Sequence, residues 1–235
     1  MKIAFDLSGR RILITGGGAG IGAATAAVCA KLSAEVLLID IVGSQQVVEA
    51  IRSGGGKANS FVADAASRSD MERLSAEIGA VDGLVLNAAI CPWDEDWLAA
   101  EWDASFSRVI AVNVLGPIHA LRAFLPAMLD RRRGHIVFVG SLAGRSGGLI
   151  AGPHYVASKG AVHALVKWLA RQVAPRNVIV NGVAPASVET PMMRGRPVDL
   201  DRIPLGRPGK ARRSAGRSHS SARMRRATSA ARFST

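Results

Sequence analysis

The chain has 235 residues, 49% of them hydrophobic, with no polar low-complexity spacer before residue 206, so one globular domain with one substantial core is expected over 1–206. The net charge of +12 is not a property of that body: nine of the 30 lysines and arginines lie in residues 207–235, which hold no acid, and the rest of the chain carries only +3. This balance excludes polyanion binding by the body, and with no run of about 18 uninterrupted apolar residues and no signal-like run at the N-terminus, a cytoplasmic chain without membrane attachment is expected.

In chain order, strand-length apolar runs alternate with segments of helical period. The pattern predicts strands at 11–15 (RILIT), 35–40 (EVLLID), 59–64 (NSFVAD), 83–88 (GLVLNA), 135–140 (HIVFVG) and 178–183 (VIVNGV). Helices are predicted near 20–32, 44–53, 67–78, 103–130 and 154–174. Six such units in succession give an α/β class, a Rossmann-type doubly wound parallel sheet, whose ligands bind beyond the carboxyl ends of the strands. After residue 205 both periodicities stop, and the basic segment 207–235 is expected to be a disordered tail.

The first strand runs into TGGGAGIG and then a helix. Five glycines between 16 and 22 allow a tight turn and a close approach of backbone to a pyrophosphate, whose charge meets unpaired N–H groups at a helix start. The second strand ends in Asp40, 18 residues after Gly22, placed to accept hydrogen bonds from the adenosine ribose hydroxyls. A 2′-phosphate there would meet a like charge, worth ~4 kcal/mol per unit charge at ~4 Å and an effective dielectric of ~20. Gly17, Gly18, Ala19 and Ile41 supply no compensating cation, so NAD is expected in preference to NADP. Asp64 and Asn87 close the third and fourth strands, where an adenine and its ribose would lie; capping of the following turns could also explain them, and their position favours the cofactor reading only modestly. Cys29 and Cys91 lie in no CxxC pair and have no histidine at ligand spacing, so neither a disulfide nor a metal site is expected.

The only tyrosine, Tyr155, precedes Lys159 by four residues on the fifth predicted helix, which puts both side chains on one face. A neighbouring ammonium favours the phenolate, and together with a cationic nicotinamide it would draw a phenol that titrates near ~10 when unperturbed toward neutrality as a general acid/base. Ser141, after the fifth strand, would hydrogen-bond the substrate oxygen and hold it against Tyr155.

With TGGGAGIG, Asp64, LNAA, Asn113, Ser141 and YVASK in order, the sequence resembles the short-chain dehydrogenase/reductase family from about Asp6 to Lys210. The resemblance implies hydride transfer between NAD(H) and a secondary alcohol or ketone. It assigns Tyr155 as acid/base, Ser141 as polariser, Lys159 as ribose ligand and promoter of the phenolate, and Asn113 as holder of a water that links Lys159 to solvent. It also implies cofactor contacts from Gly16, Gly18, Gly20, Ile21, Gly22, Asp40, Asp64, Ala65, Asn87, Ala88, Tyr155, Lys159, Pro185, Val188 and Thr190. Ala89 and Ala186 stand where the family often has glycine. Trp93, Leu142, Leu149, Ile150, His154, Met192 and Met193 are expected around a partly apolar substrate pocket. Family oligomers commonly pair through the two long helices, here 103–130 and 154–174, and a homodimer is expected through them.

Past IPLGRPGK the family continues with an acidic helix start, an apolar helix and a seventh strand, whereas this chain reads ARRSAGRSHSSARMRRATSAARFST. A shifted reading frame in GC-rich DNA would produce such a composition: back-translating from Arg217 and starting at the third base gives Val-Ala-Phe-Leu-Gly-Ser-Asp-Ala. The sheet is then expected to lack its last strand, leaving 178–183 as an apolar edge. An impaired product that binds NAD weakly or not at all is the alternative reading. Nucleic-acid binding by the basic arm is not expected, because Phe233 is its one aromatic residue.

Overall fold

The computed structural model describes residues 6–148, 150–196, 198, 200–201, 203, 206–212 and 233–234. In chain order it contains β1 (Arg11–Thr15), α1 (Gly20–Lys31), β2 (Glu35–Asp40), α2 (Gln45–Ser53), β3 (Lys57–Val62), α3 (Arg68–Ile78), β4 (Gly83–Leu86), α4 (Trp102–Ile110), α5 (Gly116–Asp130), β5 (Gly134–Val139), α6 (Ala143–Ser146), α7 (Pro153–Val173) and β6 (Val178–Val183). Three two-residue strands follow: β7 (Val188–Glu189), β8 (Gly209–Lys210) and β9 (Phe233–Ser234).

Alternation along the strands builds the two halves of the core, because successive side chains point to opposite faces. Leu13, Leu37, Leu84, Ile136 and Phe138 pack with Met71 and Leu74 of α3, Phe124 of α5, and Val162 and Val166 of α7. Their neighbours Ile12, Ile14, Val36, Leu38 and Val85 face the other way, against Ala26 and Cys29 of α1 and Val48 and Ile51 of α2. Both faces are covered, so the strands are apolar throughout, as a parallel sheet requires. The order is β3-β2-β1-β4-β5-β6 with every pairing parallel, and it reverses between β1 and β4. The loops after β1 and β4 therefore diverge and open a crevice at the carboxyl edge.

Three elements differ from their sequence expectations. The strands expected at 59–64 and 83–88 end at Val62 and Leu86, because Asp64 and Asn87 turn their side chains onto backbone: Asp64 Oδ1 accepts from Ala66 N at 2.8 Å, and Asn87 Nδ2 donates to the carbonyls of Thr15 and Gly16 at 3.0 and 2.9 Å. The helix expected at 103–130 is interrupted by one π-helical turn, Ala111–Leu115, between α4 and α5. Trp102–Asp130 is apolar and long enough to cross a membrane by length and composition alone; 39% of its apolar window is buried, with Val109, Ala120, Phe124 and Met128 in the core.

The far edge of the sheet also ends differently from an unpaired β6. Phe233–Ser234 pairs in parallel with Gly182 and Val183, so the carboxyl end of β6 is covered while residues 178–181 have no strand beyond them among the described residues. Within the segment expected to be disordered, Gly209–Lys210 pairs with Val188–Glu189; residues 213–232 of that segment lie outside the described residues.

Candidate active site

The crevice is a cavity of about 570 Å³ lined from the ends of β1, β2, β4, β5 and β6 and from the first turns of α7. Gly16, Gly20, Ile21, Asp40, Asn87, Ala88, Ser141, Tyr155, Lys159, Pro185, Val188 and Thr190 all line it. Gly18, Gly22, Asp64, Ala65 and Asn113 do not, and each has a visible reason.

The glycine turn is built for close backbone approach. Gly16 sits at φ +65°, and a Cβ there would lie 2.9 Å from Ala88 Cα; one on Gly22 would lie 2.0 Å from the Gly16 carbonyl oxygen. Gly22 thus lies under the turn rather than in the cavity. Gly18 donates its N–H to Asp40 Oδ2 at 2.9 Å, so Asp40 is fixed across the glycine turn. Helix α1 begins after Ala19 with no side-chain cap, leaving first-turn N–H groups for an anion. This cradle suits the pyrophosphate of a dinucleotide. Asp40 and Lys159 are the only charged side chains among the described lining residues.

Asp64 and Ala65 stay outside because the Asp64 carboxylate closes its own turn, while the Ala65 carbonyl is packed near Gly116. Asn113 occupies the π turn and is 1% exposed. Its Oδ1 accepts from Ile90 N at 2.8 Å, and its Nδ2 donates to Ile90 O at 2.9 Å and to Ser158 Oγ at 3.0 Å. Both amide protons are committed, so the side chain clamps the loop after β4 to α7.

Lys159 is buried, donates to the Val139 carbonyl at 3.0 Å, and holds its Nζ 5.6 Å from the centre of the Tyr155 ring. The two side chains do share a face, as the four-residue spacing requires. Ser141 acts on Tyr155 in the direction that lowers its pKa, and its Oγ accepts from Ala143 N at 3.2 Å. In the free protein, burial dominates the ionisation of both groups. Burial pushes the Tyr155 phenol up to about 12, outweighing the lowering by Ser141, and burial draws Lys159 down to about 8. Low dielectric penalises both charged forms.

The substrate side is apolar. Trp93, Leu142, Ile150, Met192, Met193 and Ile203 line it, and Ala89 and Ala186 at the glycine places line the cavity as well. Trp93 Nε1 donates to the Met192 carbonyl at 3.0 Å, and Arg196 pairs with Asp94 while lying 5.5 Å from the Trp93 ring centre, which ties the loop after β4 to the segment after β7. Leu149 lies outside the described residues. His154 does not line the pocket: its ring is buried, with Nε2 3.1 Å from Glu95 Oε2 and Nδ1 accepting from Tyr155 N at 2.8 Å. Glu95 and Ser158 escaped sequence reasoning altogether, because a carboxylate in an irregular loop and a serine inside a helix carry no periodic signal.

Comparison with known proteins places this geometry. Residues 10–200 match the family model for short chain dehydrogenases. The chain is 38% identical over 201 residues to 2-(S)-hydroxypropyl-CoM dehydrogenase 3 of Xanthobacter autotrophicus, covering 82% of this chain and 77% of that one. It is 36% identical to the 3-oxoacyl-acyl-carrier-protein reductase of Thermotoga maritima, covering 87% and 86%. Among solved structures, a 3-oxoacyl-acyl-carrier-protein reductase of Brucella melitensis with bound NAD superposes with a TM-score of 0.83 at 28% identity, over 92% of this chain and 84% of that one. A candidate NAD(P)-dependent gluconate 5-dehydrogenase of Beutenbergia cavernae with bound NADP gives 0.85 at 32%, over 93% and 91%.

Proposed function

The chain belongs to the short-chain dehydrogenase family of oxidoreductases, and from that premise we propose that it passes a hydride between NAD(H) and a secondary alcohol or its ketone. The observation that carries this reading is the convergence of Ser141, Tyr155 and Lys159 on one cavity whose other end is closed by Asp40 and the glycine turn. When bound, the nicotinamide supplies the hydride acceptor for oxidation and the donor for reduction. Tyr155 gives its proton to the carbonyl oxygen in reduction and takes the carbinol proton in oxidation. Ser141 hydrogen-bonds the same oxygen and holds it beside the phenol. Lys159 and the carbonyl of Val139 place a proton-exchanging group next to Tyr155. With the phenol held up at about 12, the free protein near neutral pH is poised as the proton donor, the form that ketone reduction needs.

NAD preference rests on Asp40, whose carboxylate is pinned by Gly18 N–H and Val42 N–H at 2.9 and 3.3 Å with no cation among the described lining residues near it. The test is a fluorescence titration with NADH and NADPH, then turnover of a panel of secondary alcohols and ketones. NADH should bind at least about tenfold more tightly, and Asp40→Ala should remove most of that margin. Tyr155→Phe should lower turnover about 10²–10⁴-fold with NADH affinity retained. Tighter NADPH binding by the wild type would overturn the cofactor assignment; undiminished turnover by Tyr155→Phe would overturn the role of the tyrosine. The same reading extends to assembly, with two chains pairing through α4, the π turn, α5 and α7, where Phe106, Leu115 and Trp168 are exposed.

A further inference from the structure

Helix α7 starts after Gly152, a residue with no side chain to cap the first turn, and Pro153 takes the first helical position. The first N–H groups of a helix have no intrahelical acceptor and are usually met by the side chain of the N-cap residue. Here the acceptor comes from two residues further on: His154 Nδ1 lies 2.8 Å from Tyr155 N, which also reaches the Gly152 carbonyl at 3.1 Å. A side chain at position 152 is incompatible with this arrangement, since its Cβ would lie 2.6 Å from His154 Cε1.

That contact sets the tautomer. Because a backbone N–H can only donate, Nδ1 holds the lone pair, the proton sits on Nε2, and it points to Glu95 Oε2 at 3.1 Å. Trp102 of α4 packs against the ring with centres 5.5 Å apart. The carbonyl of Tyr155 is held as well: Ser158 Oγ donates to it at 2.8 Å and accepts from Asn113, which in turn grips Ile90. Both backbone polar groups of Tyr155 are thereby tied to the loop after β4, one through Ile90 and the other through Glu95.

We propose that His154 is a positioning residue for Tyr155: as a neutral ring braced by Glu95 it holds the tyrosine's N–H and fixes the phenol at the cavity wall. This rests on the reading of Tyr155 as the acid/base, and its test reads the tyrosine without any substrate. Tyr155 is the only tyrosine in the chain, so protein labelled with ¹³C at tyrosine Cζ gives one resonance whose position reports phenol or phenolate. At about pH 10.5 the wild-type signal should remain that of the neutral phenol, since burial holds the group up to about 12.

His154→Leu removes the side-chain acceptor and leaves Tyr155 N only the Gly152 carbonyl; the first turn loosens, the phenol gains solvent, and the signal should move most of the way to phenolate, as for an ordinary phenol near ~10. His154→Asn can present Oδ1 where Nδ1 stood and should restore the neutral signal. Glu95→Ala should shift it in the same direction as His154→Leu by a smaller amount, and it carries the test should the leucine variant not fold. A His154→Leu or Glu95→Ala protein that melts earlier yet keeps the neutral-phenol signal would overturn the proposal, as would failure of His154→Asn to restore it. Turnover by Tyr155→Phe reports separately on the acid/base assignment, so the two can fail independently.

Discussion

Lys159 and Tyr155 are the two groups whose environments matter most for chemistry, and burial acts on them in opposite directions. Lys159 falls from an ordinary 10.5 to about 8, so between those values the unfolded chain binds more protons than the native one and native stability rises with pH. Below about 8 the cost of burying the ammonium is fully present. Tyr155, raised to about 12, and Cys29 and Cys91, each raised to about 12 by burial, work the other way at higher pH, because the native state keeps protons that the unfolded chain loses. A difference between proteins isolates the lysine. Lys159→Met should melt above the wild type near neutral pH, and the gap should narrow between about pH 8 and 10.5, where the native lysine has lost the proton that the unfolded chain still binds. Thermal melts of both proteins across that range check the sign; a gap constant with pH would mean that Lys159 keeps its charge.

At the scale of elements, the π turn at Ala111–Leu115 positions the site more than its length suggests. It lies where sequence periodicity shows one unbroken apolar helix, and it places Asn113 against the backbone of Ile90. Such single turns often mark functional positions. Asn113→Ala would leave the Ile90 N–H and C=O without that partner, and Ser158 without its donor. The expected cost is about 2–3 kcal/mol, read by chemical denaturation, together with a loss of turnover larger than any loss of NADH affinity. The glycine turn is the opposite case: its geometry follows from residue type, because a methyl at Gly22 would collide with the Gly16 carbonyl whatever else the chain did.

For the molecule as a whole, the surface left by α4, the π turn, α5 and α7 carries Phe106, Leu115 and Trp168, at 36%, 43% and 52% exposure, an apolar set on the segments expected to pair. Sedimentation should show a dimer, and Trp168→Glu should shift it toward monomer. A stable tetramer would count against an assembly built on these helices alone. The other outer edge, β6, is covered at Gly182 and Val183 by the short β9. Its amino-terminal half remains an apolar strand edge among the described residues, a place where chains associate on unfolding.

Alternating apolar strands, the glycines at 16–22, Asp40 at a strand end and Tyr155 four residues before Lys159 were all legible in the sequence, because each is set by a local period or by a residue type that no other can replace. The family and the doubly wound parallel sheet follow from those same features, while the strand order came with the fold. Only the folded chain decided the ionisation of the Tyr155 and Lys159 pair, since desolvation depends on everything packed around a group rather than on its neighbour one turn away. The clamp from Asn113 to Ile90 and the brace from Glu95 through His154 to Tyr155 likewise join residues 23 and 59 positions apart, and no one-dimensional pattern encodes which polar atoms such loops bring within hydrogen-bond reach.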